Sequence, residues 1–316
     1  LLFSPCENYT IKNLNLKLKI GNMNGVLIIN KPSGWTSHDV VAKVRGILHE
    51  KQIGHLGTLD PLATGVLPLA EGAATRLIEF ASYPKEYVAV CLLGKSTDSY
   101  DITGKVLDEK PVENLSEERT REEVLRLGKL TEQVPPMVSA IKKEGRKLYD
   151  LARQGLTVER KPRSILIERI EVLRMDLPRV TFRVLCSAGT YVRSLCQTLG
   201  EVLGTGACME KLERTQVGPF HLDQSHSLLE LESQMTEGRK VECLLPSSRL
   251  VQHLTVLDMD GEKLVGFCQG QKIPGLDLPA GLYRVLNPQG RLCAVADVVE
   301  AGELKPRKVF GSEGLL

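Results

Sequence analysis

The residues best placed to do chemistry lie in Gly54-His55-Leu56-Gly57-Thr58-Leu59-Asp60-Pro61-Leu62-Ala63-Thr64-Gly65, where one carboxylate sits among three glycines and a proline. Residues 53–68 read as a single loop by their Gly and Pro content, and a loop of more than about 12 residues in a compact domain is usually functional or disordered. Leu56, Leu59, Leu62 and Val66 make this one too apolar for disorder. Its glycines allow a close backbone approach, and Pro61 fixes the chain just after Asp60. A carboxylate there either organises the turn by accepting from neighbouring amides or serves as a nucleophile, and composition alone does not choose between them. His55 is equally open between a satisfied loop imidazole and a working one.

Two other segments carry charge in a pattern. From Lys142 to Arg169 there are nine Lys and Arg against four Asp and Glu. The basic residues Lys142, Arg146, Lys147 and Arg153 flank Tyr149. The run suits a solvated face or a phosphate backbone equally well. Ser187-Ala188-Gly189-Thr190-Tyr191-Val192-Arg193 turns a strand into a helix whose N-terminus favours anions. On periodicity alone Tyr191 belongs to a core, and Arg193 is a surface or paired charge.

What is missing prunes the reaction classes. The sequence has no G-x-G-x-x-G after a strand, no G-x4-G-K-[ST], no H-E-x-x-H and no G-x-S-x-G, so the usual signals for nucleotide cofactors, NTP hydrolysis and metalloprotease chemistry are absent. The eight cysteines show no zinc-ligand spacing, and in a chain this long they read as buried hydrophobes of a reducing cytoplasm. No metal and no cofactor is expected. The N-terminus has no signal-peptide pattern, and no apolar run reaches the roughly 18 residues of a membrane-spanning helix. With 41 basic against 39 acidic residues the net charge is +2, which argues against a histone-like polybasic protein but leaves room for one basic face.

The elements that must position these residues alternate irregularly. Val26–Asn30 reads as a buried strand ending in the turn Lys31-Pro32-Ser33-Gly34. Thr36 and Asp39 have capping-box spacing ahead of Val40, Val41, Val44, Ile47 and Leu48. A helix is expected at 73–81, a strand at 86–93, a hairpin turn at 101–105 and a charged helix at 116–127. A short helix around Leu148, Leu151 and Ala152 follows, then strands at 164–174 and 179–187, a helix at 190–203 and a strand at 208–217. Paired strands with interspersed helices predict an α+β fold with a mixed, mainly antiparallel sheet. Past Pro246 the turn signals at Gly261, Gly270, Gly281 and Pro288-Gln289-Gly290 predict a small β-rich domain. The division expected is an extension at 1–22, non-native or poorly ordered, a main domain at 23–246 and a small one at 247–316.

Taken in order, the segments resemble the TruB family, the bacterial tRNA pseudouridine-55 synthases. The resemblance runs nearly continuously from Gly25 to about Phe220 and weakly beyond. It rests on Lys31-Pro32-Ser33-Gly34-Trp35-Thr36-Ser37, the Asp60 loop, Lys85-Glu86-Tyr87, Pro135–Ala140, Gly145–Tyr149, Gly189–Arg193 and Leu212-Glu213-Arg214-Thr215. It implies a pseudouridine synthase catalytic domain with a PUA-like, RNA-binding C-terminal domain. By this resemblance Asp60 is the nucleophile, attacking C1′ of the sugar or C6 of the base, and Arg193 is the cation that keeps it ionised. Tyr87 stacks on the flipped base and is a candidate to remove the C5 proton. His55 fills space vacated in the T loop, Tyr191 lines the pocket and Leu212 packs on the base. Phosphate contacts are expected from Lys31, Lys142, Arg146, Lys147 and Arg153. The implied partner is the T arm of tRNA, bound by a cytoplasmic monomer with no obligate protein partner and no membrane. A guide-RNA-dependent relative, an RNA chaperone and a purely structural RNA-binding module are the competing readings.

Overall fold

The computed structural model describes residues 24–139, 142–143, 146–147, 158–236, 243–275, 277–299 and 302–315. The 1–22 extension, Arg153 and the helix expected near Leu148 lie outside these residues.

In chain order the first elements are β1 (Gly25–Lys31), α1 (Ser37–Leu48), β2 (Ile53–His55) and β3 (Thr64–Glu71). A 3₁₀ turn then spans Gly72–Phe80 before β4 (Lys85–Leu93). The hairpin β5 (Lys95–Thr97) and β6 (Val106–Glu109) and the helix α2 (Glu117–Leu127) follow. Next come four two-residue strands: β7 (Glu132–Gln133), β8 (Lys142–Lys143), β9 (Arg146–Lys147) and β10 (Arg163–Ser164). The main sheet continues with β11 (Ile167–Asp176), β12 (Arg179–Cys186), the helix α3 (Val192–Leu203), β13 (Ala207–Val217) and β14 (Phe220–His221). Helix α4 (Leu228–Thr236) and β15 (Leu245–Pro246) lead to β16 (Thr255–Asp258), α5 (Gly261–Cys268), β17 (Gly281–Leu286), β18 (Leu292–Val298) and β19 (Leu304–Val309).

The order β11-β12-β4-β13-β3-β1-β15, with β14 against β13 and β2 against β3, makes a nine-stranded sheet. Among the described residues, the β13–β3 pairing is the one parallel pair of strands in it. This is the mixed, mainly antiparallel sheet the sequence predicts. Helix α1 begins where expected: the Thr36 hydroxyl accepts from the Asp39 amide, and Asp39 accepts in return from the Thr36 amide. Its Val40, Val41, Val44 and Leu48 are buried with Leu27, Ile29, Leu67 and Leu69 under one face of β1 and β3. Helix α3 buries Val192, Leu195, Cys196 and Leu199 against Ala89, Cys91, Phe182 and Met209 of the central strands.

Two expectations need correction. The expected loop at 53–68 is only residues 56–63, because β2 and β3 occupy its ends. Strand β3 is buried along nearly its whole length, so it lacks the polar–apolar alternation of a half-exposed strand, and its Gly65 and Pro68 read as punctuation. At the other end of the chain Gly261 opens helix α5 rather than a turn between strands, and eight residues show too few periods of Leu264 and Phe267 to reveal it. The strands β16 to β19 form a separate four-stranded sheet with its own core around Phe267, Tyr283, Val285 and Ala294. Leu292, Val295 and Leu315 from this part also pack with Val26, Leu77 and Leu250, so it is docked on the main sheet.

Gly65 is a site of close approach. It has φ +99°, and a Cβ there would lie 2.2 Å from the Arg214 carbonyl oxygen on the parallel neighbour. Gly65→Ala is therefore expected to cost about 3 kcal/mol or more, lowering the melting midpoint by roughly 5–10 °C. Thermal denaturation checks this, and an unchanged midpoint would contradict the β3–β13 register.

Candidate active site

The shortened loop 56–63 is held from three sides by polar groups. The Leu59 amide donates to the Ser37 hydroxyl at 2.8 Å, the Gly34 amide donates to the Pro61 carbonyl at 2.8 Å, and the Ser33 hydroxyl donates to the Leu62 carbonyl at 3.2 Å. Lys31 is fully buried, and its ammonium donates to the carbonyls of Pro32, Trp35 and Pro61 at 2.6–3.2 Å. This corrects the phosphate contact expected of Lys31. Burial lowers its ammonium to about 8, and its three bonds pin the start of the chain to the Asp60 loop. On the other side the fully buried Arg214 donates to the carbonyls of Val66 at 2.7 Å, Gly57 at 3.2 Å and Thr58 at 3.4 Å.

This framework presents Asp60 to Arg193, which enters from the first turn of α3. The Arg193 Nη2 donates to Oδ1 at 3.1 Å and Nε lies 2.9 Å from Oδ2, a two-point contact. The remaining capacity of the guanidinium is used on the carbonyls of Ser99 at 3.0 Å and Val138 at 2.8 Å and on the Asp101 carboxylate at 3.6 Å. Asp101 is held in turn by the Thr103 amide and the hydroxyls of Ser99 and Thr103. Between Ser99 and Asp101, Tyr100 sits at φ +64°, a conformation costly for a residue with a side chain. That turn aims a carbonyl and a carboxylate at one guanidinium. Arg193 is 2% exposed, whereas the Asp60 side chain is 33% exposed, so the carboxylate faces open space and the cation stands behind it. Burial pushes the Asp60 carboxyl above the ordinary carboxylate range and Arg193 works against that shift.

The open space is a cavity of about 250 Å³. Its walls are the loop from Gly57 to Asp60, Lys85 and Tyr87 of β4, Ser139, the turn from Gly189 to Tyr191 with Val192 and Arg193, and Leu212 of β13. Tyr87 and Leu212 are buried side by side with Leu59 and Ala63. Tyr87 is the cross-strand partner of Arg214. Burial raises the Tyr87 hydroxyl, while Arg214, by charge and hydrogen bond, draws it back. Tyr191 lines the cavity rather than lying in the core, and its amide and carbonyl are both bonded to the side chain of Gln133 on β7.

The structure thus brings together Asp60, Tyr87, Tyr191, Arg193 and Leu212. His55 does not line the cavity: it lies on β2 opposite Leu69, and burial lowers its imidazole, keeping it neutral. Strands β8 and β9 pair antiparallel, Lys142 with Lys147 and Lys143 with Arg146, while their side chains lie outside the described set. Asp101, Lys85 and Arg214 were missed as site residues by sequence reasoning. Asp101 carries only the signal of a turn, and the other two sit inside segments that were noticed for their neighbours.

Comparison with known proteins identifies the family of the chain. Residues 45–192 match the TruB family pseudouridylate synthase N-terminal domain, and residues 193–252 match the tRNA pseudouridylate synthase B C-terminal domain. The chain is 43% identical over 303 residues to the tRNA pseudouridine synthase B of Heliobacterium mobile, covering 93% of this chain and 97% of that one. It is also 43% identical over 292 residues to that of Dehalococcoides mccartyi strain 195, covering 91% and 97%. Among solved structures, a chain of a Cbf5-Nop10-Gar1 complex superposes with TM-score 0.72 at 27% identity, over 92% of this chain and 86% of that one. These matches define the chain as a pseudouridylate synthase. The chain belongs to the TruB family of pseudouridylate synthases.

Proposed function

We propose that this chain isomerises uridine to pseudouridine at position 55 in the T loop of tRNA, with Asp60 as the nucleophile. The observation that carries the reading is the Asp60–Arg193 pair, arginine buried and carboxylate open to a cavity walled by Tyr87, Tyr191 and Leu212. The reaction breaks the bond from C1′ to N1, turns the uracil and joins C1′ to C5. The C5 proton leaves and N1 takes one up, so nothing is oxidised, reduced or hydrolysed. The step that starts it, at C1′ or at C6, needs an ionised carboxylate in a water-poor cleft, which is costly without a counter-charge. Arg193 supports that charge, and the Asp101 carboxylate beyond it holds Arg193 in place.

The target base must leave its stack, at a cost of a few kcal/mol. The Tyr87 ring and the Leu212 side chain offer faces for the extruded uracil, since unpaired bases are held on aromatic and apolar surfaces. The Tyr87 hydroxyl is the candidate to take the C5 proton, with burial raising it and the Arg214 charge and hydrogen bond pulling against that rise. Residues 23–246 are assigned to catalysis and 247–316 to a PUA-like extension of the RNA footprint, in a cytoplasmic monomer that works without a protein partner. Reversing Arg146 and Lys147 to Glu is expected to weaken tRNA binding, flatten its dependence on salt and leave turnover at saturation intact. A salt titration of binding checks this, and unchanged affinity would remove the β8–β9 pair from the interface.

The test is incubation of the purified protein with an unmodified tRNA transcript and no other macromolecule, followed by mapping of pseudouridine. Conversion at position 55 alone is expected, and an isolated T-arm stem-loop is expected to react as well. A requirement for added guide RNA or proteins would favour the guide-dependent reading that the likeness to Cbf5 chains raises.

A further inference from the structure

Lys85 lines the cavity without a place in the Asp60–Arg193 pairing. It opens β4 two residues before Tyr87, and its stem passes Gly57 so closely that a Cβ there would lie 3.3 Å from Cε and 3.6 Å from Nζ. Gly57 has φ +104°, so both its backbone and its missing side chain leave a channel for this lysine. The other cations near the cavity are spent. Arg193 is divided among two carboxylates and two carbonyls, Arg214 among three carbonyls, and Lys31 among three more. The Lys85 ammonium has no carboxylate or carbonyl partner among the described residues, and it lies beside Gly57 in the cavity wall.

A half-buried ammonium that no protein group neutralises is matched to a ligand anion. Under the reading proposed above, the entering nucleotide brings one with it. Extrusion turns the nucleotide about its backbone, so a flanking phosphate follows the base towards the cavity mouth and loses part of its water. Uracil itself carries no charge, and its faces are met by Tyr87 and Leu212. We propose that the Lys85 ammonium clamps a backbone phosphate flanking the flipped uridine and so holds the nucleotide in the cavity. Lysine suits this as a compact point charge on a flexible stem. Burial, with the Arg214 charge behind it, lowers the free ammonium to about 8, so the site is charged at neutral pH yet poised to lose its proton. A bound phosphate retains that proton, so affinity falls as pH rises through 8, and Lys85→Met removes this dependence.

The test uses T-arm stem-loops with one neutral methylphosphonate linkage placed 5′ or 3′ of the target uridine, each with a sugar-matched charged control. Single-turnover kinetics give the half-saturating RNA concentration and the rate at saturation. With wild-type protein, one of the two neutral linkages is expected to raise half-saturation by about tenfold or more, as for loss of a charge-assisted bond, and its position identifies the phosphate. Lys85→Met is expected to show the same loss on charged RNA and no further loss on that neutral RNA, while Lys85→Arg recovers most of it. Losses that multiply at both positions, or a Lys85→Met protein that folds and binds charged RNA like wild type, would overturn the proposal. Failure of wild-type protein to convert the charged controls would instead overturn the functional reading on which it rests.

Discussion

Replacement of Asp60 by Asn is expected to lower pseudouridine formation by at least about 10⁴-fold while leaving the protein folded and able to bind tRNA. The magnitude follows from loss of a nucleophile, which other enzymes feel as losses of that size or larger. The separation of effects follows from the geometry. The loop around Asp60 is held by Lys31, Ser37, Gly34 and Arg214 through backbone groups, none of which involves the carboxylate. Arg193 is not orphaned by the change, because Ser99 and Asp101 still hold Nη1 and Val138 still accepts from Nη2. Binding rests on Tyr87, Leu212 and phosphate contacts elsewhere. A variant with unchanged circular dichroism and tRNA affinity and no product is the expected outcome.

Removal of Arg193 is expected to behave differently, damaging stability and chemistry together. Arg193→Met strands the Asp101 carboxylate, 8% exposed, and leaves Asp60 to its burial. Breaking one partner out of a buried pair costs roughly 3–5 kcal/mol, and the openness of Asp60 places the loss near the lower end. The sign with pH is fixed. The Asp60 carboxyl is already raised in the folded protein, and loss of Arg193 raises it further. Between the unfolded value and this raised one the folded state binds more protons, so stability falls as pH rises through the interval. The deficit of Arg193→Met relative to wild type is therefore expected to shrink on acidification. In the milder Arg193→Lys, the acid limb of kcat/KM moves to higher pH. Denaturant melts across pH and a pH–rate profile check both, and a pH-independent deficit would show that Arg193 acts through packing alone.

Much of this was readable from the residues. The capping box of α1, the edges of β4, α2 and α3 and the antiparallel character of the sheet follow from local rules that packing did not override. The segments that resemble the family supplied Asp60, Tyr87, Tyr191, Arg193 and Leu212, which the fold gathers around one cavity. What escaped depends on distances between remote parts of the chain. Lys31 looks like a surface cation until β1 and the Asp60 loop are seen to enclose it. Asp101 reads as a hairpin residue until Tyr100 turns it towards α3. Strand β3 hides because both its faces are covered, and the role of Arg214 appears only through its register with Tyr87 and Gly65.

The most direct test of the account is to incubate wild-type protein and Asp60→Asn side by side with bare, unmodified tRNA, measuring bound RNA and pseudouridine at each position in the same samples. The account predicts pseudouridine at position 55 with wild-type protein and none with Asp60→Asn at equal occupancy. Substantial conversion by a folded, tRNA-bound Asp60→Asn protein would contradict it and leave Asp60 a loop-organising carboxylate.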